Sequence, residues 1–157
     1  MFKKTLAVAL CVLMSVAGLA ADDGYKVDYD GGSVTGLKPG SDLKLYIDKS
    51  AVRLAKGKAN AATIPADAIT EISYGQDVHR RVGAAIGLAV VSFGIGGLMA
   101  LTKSKKHYIG ITWDDGKGNK GGLAIQADKD DYRGLLAGLE GVSGKKAVNS
   151  DTMTVKN

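Results

Sequence analysis

Seven residues able to do chemistry stand at the two ends of one apolar run: His79, Arg80 and Arg81 precede it, and Lys103, Lys105, Lys106 and His107 follow it. Residues 82–102 between them carry no charge. Cations around the foot of an apolar segment suit docking on an anionic membrane. The apolar part enters acyl chains while guanidinium and ammonium groups meet lipid headgroups, each cation contributing about 1 kcal/mol near such a surface. The two imidazoles also raise the idea of a metal or a proton switch. Two ligands do not make a transition-metal site, so the histidines are expected to be interfacial polar groups.

The chain offers little else to a catalyst. It has no Gly-x-Ser-x-Gly nucleophile elbow, and its one cysteine, Cys11, lies in the N-terminal apolar stretch. Asp114 and Asp115 lack the later carboxylate of a calcium loop and read as a turn. Gly116-Lys117-Gly118 has no strand-to-helix setting for a phosphate loop. The basic residues are not interleaved with aromatics that would stack bases. The expectation is a protein that is not an enzyme, with no catalytic residue, metal, cofactor or nucleic-acid partner.

Lys3 and Lys4, the apolar stretch from Leu6 to Leu19, and the small residues Gly18 and Ala20 read as a secretory signal peptide cut after Ala20. The chain is therefore expected to be exported, and the mature part would hold no thiol. Loss of Lys3 and Lys4 takes the formal charge from +5 to +3, a mildly basic balance compatible with anionic membrane surfaces. The remainder amounts to one small domain. Its divisions read as signal peptide 1–20, polar lead-in 21–32, folded domain 33–144 with the apolar insertion 82–102, and flexible tail 145–157.

The elements that must position the cations are mostly strands. Ser33–Leu37, Leu43–Ile47, Val52–Leu54, Ala61–Ile64 and Ile69–Tyr74 come before the apolar run. Alternation is clearest where Leu43, Leu45 and Ile47 share a face. Pro65 suits the first position of a helical turn before the fifth strand. After the run, Ile109, Ile111 and Trp113 share one face, as do Leu123, Ile125 and Ala127, with a hairpin turn at 114–119. Tyr132, Leu135, Leu136 and Leu139 then form the apolar stripe of a C-terminal helix. Asp128, Asp130 and Asp131 are placed to favour its start, and Gly141 and Gly144 to stop it.

As one helix, residues 82–102 would be about 31 Å long, enough to cross a hydrocarbon core. A crossing would part the fifth strand from the sixth. The glycines also cluster in mid-run at Gly94, Gly96 and Gly97, where a tight turn is easier than a helix interior. A helical hairpin with arms near Val82–Val91 and Leu98–Thr102 is therefore expected. Ile86, Leu88, Val90, Phe93, Ile95, Leu98 and Met99 would enter the membrane. Arg80, Arg81, Lys103, Lys105 and Lys106 would bind headgroups, and Gly83 and Gly87 would allow helix packing.

Seven short antiparallel strands closed by a C-terminal helix resemble the pleckstrin-homology-like (PH-like) and GRAM-like superfold. The segments 106–113, 115–118 and 139–145 are similar to a group of bacterial envelope proteins. The resemblance implies a mainly β fold: a seven-strand antiparallel sandwich or partly open barrel with the apolar hairpin between strands 5 and 6. The function expected is an exported, periplasmic, membrane-associated binding or scaffolding module of the bacterial cell envelope. Its partner would be anionic lipid, with an unidentified envelope protein as a second candidate. The alternative is a single-pass or Gly-packed homo-oligomeric membrane structural protein.

Overall fold

Alternation of apolar and polar residues drives most of the strands, and the computed structural model, which describes residues 24–86 and 107–153, joins eight of them into one sheet. These are β1 (Tyr25–Gly32), β2 (Ser41–Ile47), β3 (Ala51–Lys56), β4 (Ala59–Pro65), β5 (Ile69–Tyr74), β6 (His107–Asp114), β7 (Lys120–Ala127) and β8 (Ala147–Asn149). Among the described residues two α-helices accompany them, α1 (Val78–Ile86) and α2 (Tyr132–Ser143). The strand order is β4-β3-β2-β1-β7-β6-β5-β8. All neighbours are antiparallel except β5 and β8, which run parallel.

The link between β4 and β5 forces this sheet to curl. Pro65 ends β4 and Ile69 begins β5, with a 3-10 turn at Ala66–Ala68 between them. Six inter-strand spacings in a flat sheet would hold β4 and β5 about 29 Å apart, whereas the four Cα steps of the link reach about 15 Å. The sheet therefore bends around its own apolar face but stays open, since no ladder joins β4 to β5. Leu45, Leu54, Ile64, Ile72, Ile109 and Ile125 fill the hollow, with Leu135 and Leu139 of α2 among them. Leucine and isoleucine at every second position of the strands are what the hollow selects. The turn after α2 is Gly144, in the left-handed region at φ 69°, whose amide donates to the Glu140 carbonyl.

Several expectations change here. The sheet is mainly β as expected, but it has eight strands instead of seven and one of them is parallel. Residues 25–32, read as part of a lead-in, are a central strand: Val27 and Tyr29 are buried between β2 and β7. Ser33–Leu37, read as a strand, is the loop that follows it. The segment 147–153, read as loose tail, pairs with β5 and forms a 3-10 turn. Ser150 makes this possible: its amide and hydroxyl both donate to the Tyr74 carbonyl, at 2.7 and 3.0 Å. The first helix of the insertion begins at Val78, earlier than Val82. The proposed hairpin turn and second arm fall in 87–106, outside the described residues.

Asp114 and Asp115 serve the β6–β7 turn, as read from the sequence. Asp114 Oδ1 accepts from the Gly116 amide at 2.9 Å, and Asp115 Oδ1 accepts from Lys117 and Asn119 at 2.8 and 3.0 Å.

Candidate functional site at the base of the apolar run

A nine-residue helix has little stability of its own. The chain holds α1 against the outer face of the sheet by four separate ties. The first is apolar. Val78, Val82 and Ile86 recur at i, i+4 and i+8, and pack with Tyr108 of β6 and Ala124 of β7. Gly110 and Gly122 let the helix come this close. A Cβ on Gly110 would lie 2.8 Å from both Val78 and Val82, and one on Gly122 would lie 2.9 Å from Val82.

The second tie is a buried carboxylate. Asp30 is 5% exposed and sits at a β-bulge, where the register shifts between Tyr29 and Gly31. Alternation with Val27 and Tyr29, which face the core, already puts Asp30 on the outer face, where its Oδ2 bonds Nε2 of His79 on α1. The other oxygen, Oδ1, accepts from Gln126 Nε2 at 2.9 Å. Tyr108 packs edge-on against the His79 ring at 5.2 Å. A carboxylate this buried is tolerable only because both oxygens are engaged.

The third tie joins α1 to β5. Arg81 Nε and Nη2 donate to Glu71 Oε1 and Oε2 at 2.9 and 2.8 Å, a fork-on-fork pair. The Glu71 carboxylate also holds the Arg81 guanidinium above its ordinary pKa. The fourth tie is at the start of the helix. Asp151 Oδ1, from the C-terminal 3-10 turn, accepts from the Gln76 amide at 2.6 Å. A carboxylate there satisfies a free amide and opposes the positive end of the helix dipole.

The structure thus separates residues that the sequence grouped. His79 and His107 do not meet. His107 is paired with Ala127, on the core face, and its ring stacks on Tyr132 of α2 at 3.7 Å. His79 lies with Tyr108 on the outer face. Arg80 is exposed on α1, and Arg81 is half-buried against Glu71. Ile86 is partly buried against the sheet, and Gly83 lies on the same helix. Leu88, Val90, Phe93, Ile95, Leu98, Met99, Gly87, Gly94, Gly96, Gly97, Lys103, Lys105 and Lys106 lie outside the described residues. Asp30, Glu71, Gln126 and Asp151 were not singled out from sequence. Only Asp30 left a signal there, in the alternation of Tyr25, Val27 and Tyr29 around it.

Tyr74, at the end of β5, pairs with Ile109 near the start of β6. β5, which precedes α1, and β6, which follows segment 87–106, are therefore adjacent strands of one sheet. Among the described residues no helix is long and apolar enough to cross a membrane, and no group of three or more His, Cys, Asp or Glu could hold a metal ion. The sequence matches no protein-family model, and a comparison with curated proteins finds no match.

Proposed function

We propose that this chain is an exported, membrane-associated binding or scaffolding module of the bacterial cell envelope, in which α1 is the rigid stem of the apolar segment 82–102. The observation that carries the reading is the pairing of Tyr74 with Ile109. It supports a segment that leaves and rejoins the sheet at one place, as a hairpin does, and weighs against a span that would set β5 and β6 on opposite sides of a bilayer. Four ties at the foot of an apolar segment suit a part that must pass load between a membrane and a folded sheet. Arg80, with Lys103, Lys105 and Lys106, would meet anionic headgroups. Arg81 would contribute less, because Glu71 already neutralises it. The PH-like layout belongs to the same proposal, with β1 to β7 and α2 as its seven-strand part and β8 as an addition at the β5 edge.

Vesicle flotation of the full chain tests it, against a variant in which a short Gly-Ser linker replaces residues 87–102. The full chain should float with vesicles containing anionic lipid and less well with neutral ones, while the variant stays at the bottom. Equal flotation of both proteins would refute the role given to the apolar segment.

A further inference from the structure

The connections between strands gather at two ends of the sheet, and the two ends differ in charge. Gly32 pairs with Leu123 and Tyr29 with Ser41, so β1 ends where β7 and β2 begin. Lys56, the last residue of β3, donates from Nζ to Ser41 Oγ at 3.4 Å. The β1–β2, β3–β4 and β6–β7 connections therefore share one end. They and the strand residues beside them carry Lys38, Lys56, Lys58, Lys117 and Lys120, all exposed. Asp114 and Asp115 lie among them, and each already accepts from backbone amides of its own turn. Asp42, one residue into β2, is the third carboxylate. Among the described residues none of these lysines forms a salt bridge. The opposite end has no such excess. There the β2–β3 turn and the connection from β7 to α2 carry Lys49 and Lys129 with Asp48, Asp128, Asp130 and Asp131. Asp67, in the β4–β5 link, sits with them, since the adjacent Ala66 amide donates to the Ser50 carbonyl at 2.9 Å.

Helix α1 points to the lysine end. Val78 packs over Gly110, Val82 over both Gly110 and Gly122, and Ile86 over Gly122. Gly122 pairs with Thr112, two residues nearer the β6–β7 turn than Gly110. The helix thus climbs the outer face toward that turn, and its apolar C-terminal residue Ile86 arrives there. Lysines gathered at one end of a small domain repel one another and gain by meeting a negative surface. From β6 to β4 the connections spread over at most about 24 Å, five inter-strand spacings. That breadth exceeds a single small anion and suits an extended surface.

We propose that the lysine end of the sheet is the face laid on an anionic membrane, with Lys38, Lys58, Lys117 and Lys120 meeting the headgroups. The inference rests on the membrane attachment proposed above and adds the orientation of the domain. The β2–β3 turn and the start of α2 then face away from the bilayer, where their aspartates are not repelled by it. The direction of α1 favours a lipid surface over a soluble acidic partner, because the same end receives both the lysines and the apolar end of the helix. Lysines at this level stay in water among the headgroups, on one side of the bilayer.

Two matched pairs of substitutions in the full chain test the orientation, with vesicles of phosphatidylglycerol and phosphatidylcholine as the probe. Lys117→Ala/Lys120→Ala should weaken binding by about tenfold or more, and Lys49→Ala/Lys129→Ala by less than about twofold. All four side chains are exposed, so the melting temperature should not move in either pair. A fluorophore on a single cysteine at Lys58, with Cys11 replaced by Ser, should be quenched by headgroup-labelled lipid more strongly than one at Lys49. Equal loss in the two pairs, no loss in the first, or stronger quenching at Lys49 would overturn the proposal. If binding then still disappears on replacing residues 87–102, the membrane reading stands and only the orientation falls. Failure of the full chain to bind any vesicle would overturn both. Tighter binding to soluble polyglutamate than to the vesicles would overturn the choice of a lipid partner.

Discussion

Replacing Asp30 by Ala should loosen α1 more than any other part of the fold. The carboxylate is 6% exposed at its side chain and bonds both His79 and Gln126. Its removal takes away two charge-assisted hydrogen bonds. The desolvation cost of the carboxylate disappears with it, and His79, 27% exposed, can turn partly to water. Gln126 keeps its place on β7 but loses its acceptor. The balance is a loss of about 2 kcal/mol, less than breaking a fully buried ion pair. For a domain of this size that lowers Tm by about 6–12 °C. Part of the loss should be local, since Val78, Val82 and the Arg81–Glu71 pair still hold the helix. Amide hydrogen exchange followed by mass spectrometry is the direct assay. Peptides covering 78–86 should exchange up to about 30-fold faster, the equivalent of 2 kcal/mol, while β2 and β3 change less. A double-mutant cycle with His79→Ala should give a coupling of about 1 kcal/mol or more. Unchanged protection across 78–86, or strict additivity of the two substitutions, would refute the reasoning.

Other consequences follow from the same contacts. Gly110→Ala should destabilise by about 1–3 kcal/mol in chemical denaturation, because its Cβ would stand 2.8 Å from Val78 and Val82 and 2.6 Å from Ser73 Oγ. Gly141→Ala should instead stabilise by about 0.5–1 kcal/mol, since it is exposed inside α2 with nothing within 4 Å of the added carbon. Arg53 Nε donates to Asp48 Oδ2 at 2.5 Å and holds that carboxyl below its ordinary 3.8. A depressed folded pKa contributes stability above the unfolded value that is lost as pH falls through the folded one. The Asp48 carboxyl carbon should therefore titrate by NMR with a midpoint below 3.8 and return to an ordinary midpoint in Arg53→Ala.

The sheet was legible where one face meets the core and the other meets water. Ile109, Ile111 and Trp113, and Leu123, Ile125 and Ala127, point where alternation places them. β1 escaped because its outward residues, Lys26, Asp28 and Asp30, are all charged and Gly31-Gly32 follows, which together look like a loop. Those charges belong to the polar outer face, where Asp30 makes the His79 contact. β8 is three residues long and carries no period; it is secured by contacts distant in sequence, among them Ser150 on Tyr74 and the Ala147 amide on Glu140 Oε1 at 2.7 Å. At the base of the apolar run the cations were visible in sequence and their carboxylates were not. Glu71 is 10 residues from Arg81, Asp30 is 49 from His79, and Asp151 is 75 from Gln76. The side-by-side order β1-β7-β6-β5-β8 brings them to α1.

On the proposed function, the whole sheet lies on one side of the membrane to which segment 82–102 attaches it. Lys58, in the β3–β4 turn, and Lys117, in the β6–β7 turn, are exposed and lie in the parts of the chain before and after that segment. Single cysteines at these two positions, with Cys11 replaced by Ser, report their sides when the full chain is bound to sealed vesicles and treated with a membrane-impermeant maleimide. Both positions should label fully on floated vesicles before any detergent is added. Labelling of one position before lysis and of the other only after it would place β4 and β7 on opposite sides and contradict the account.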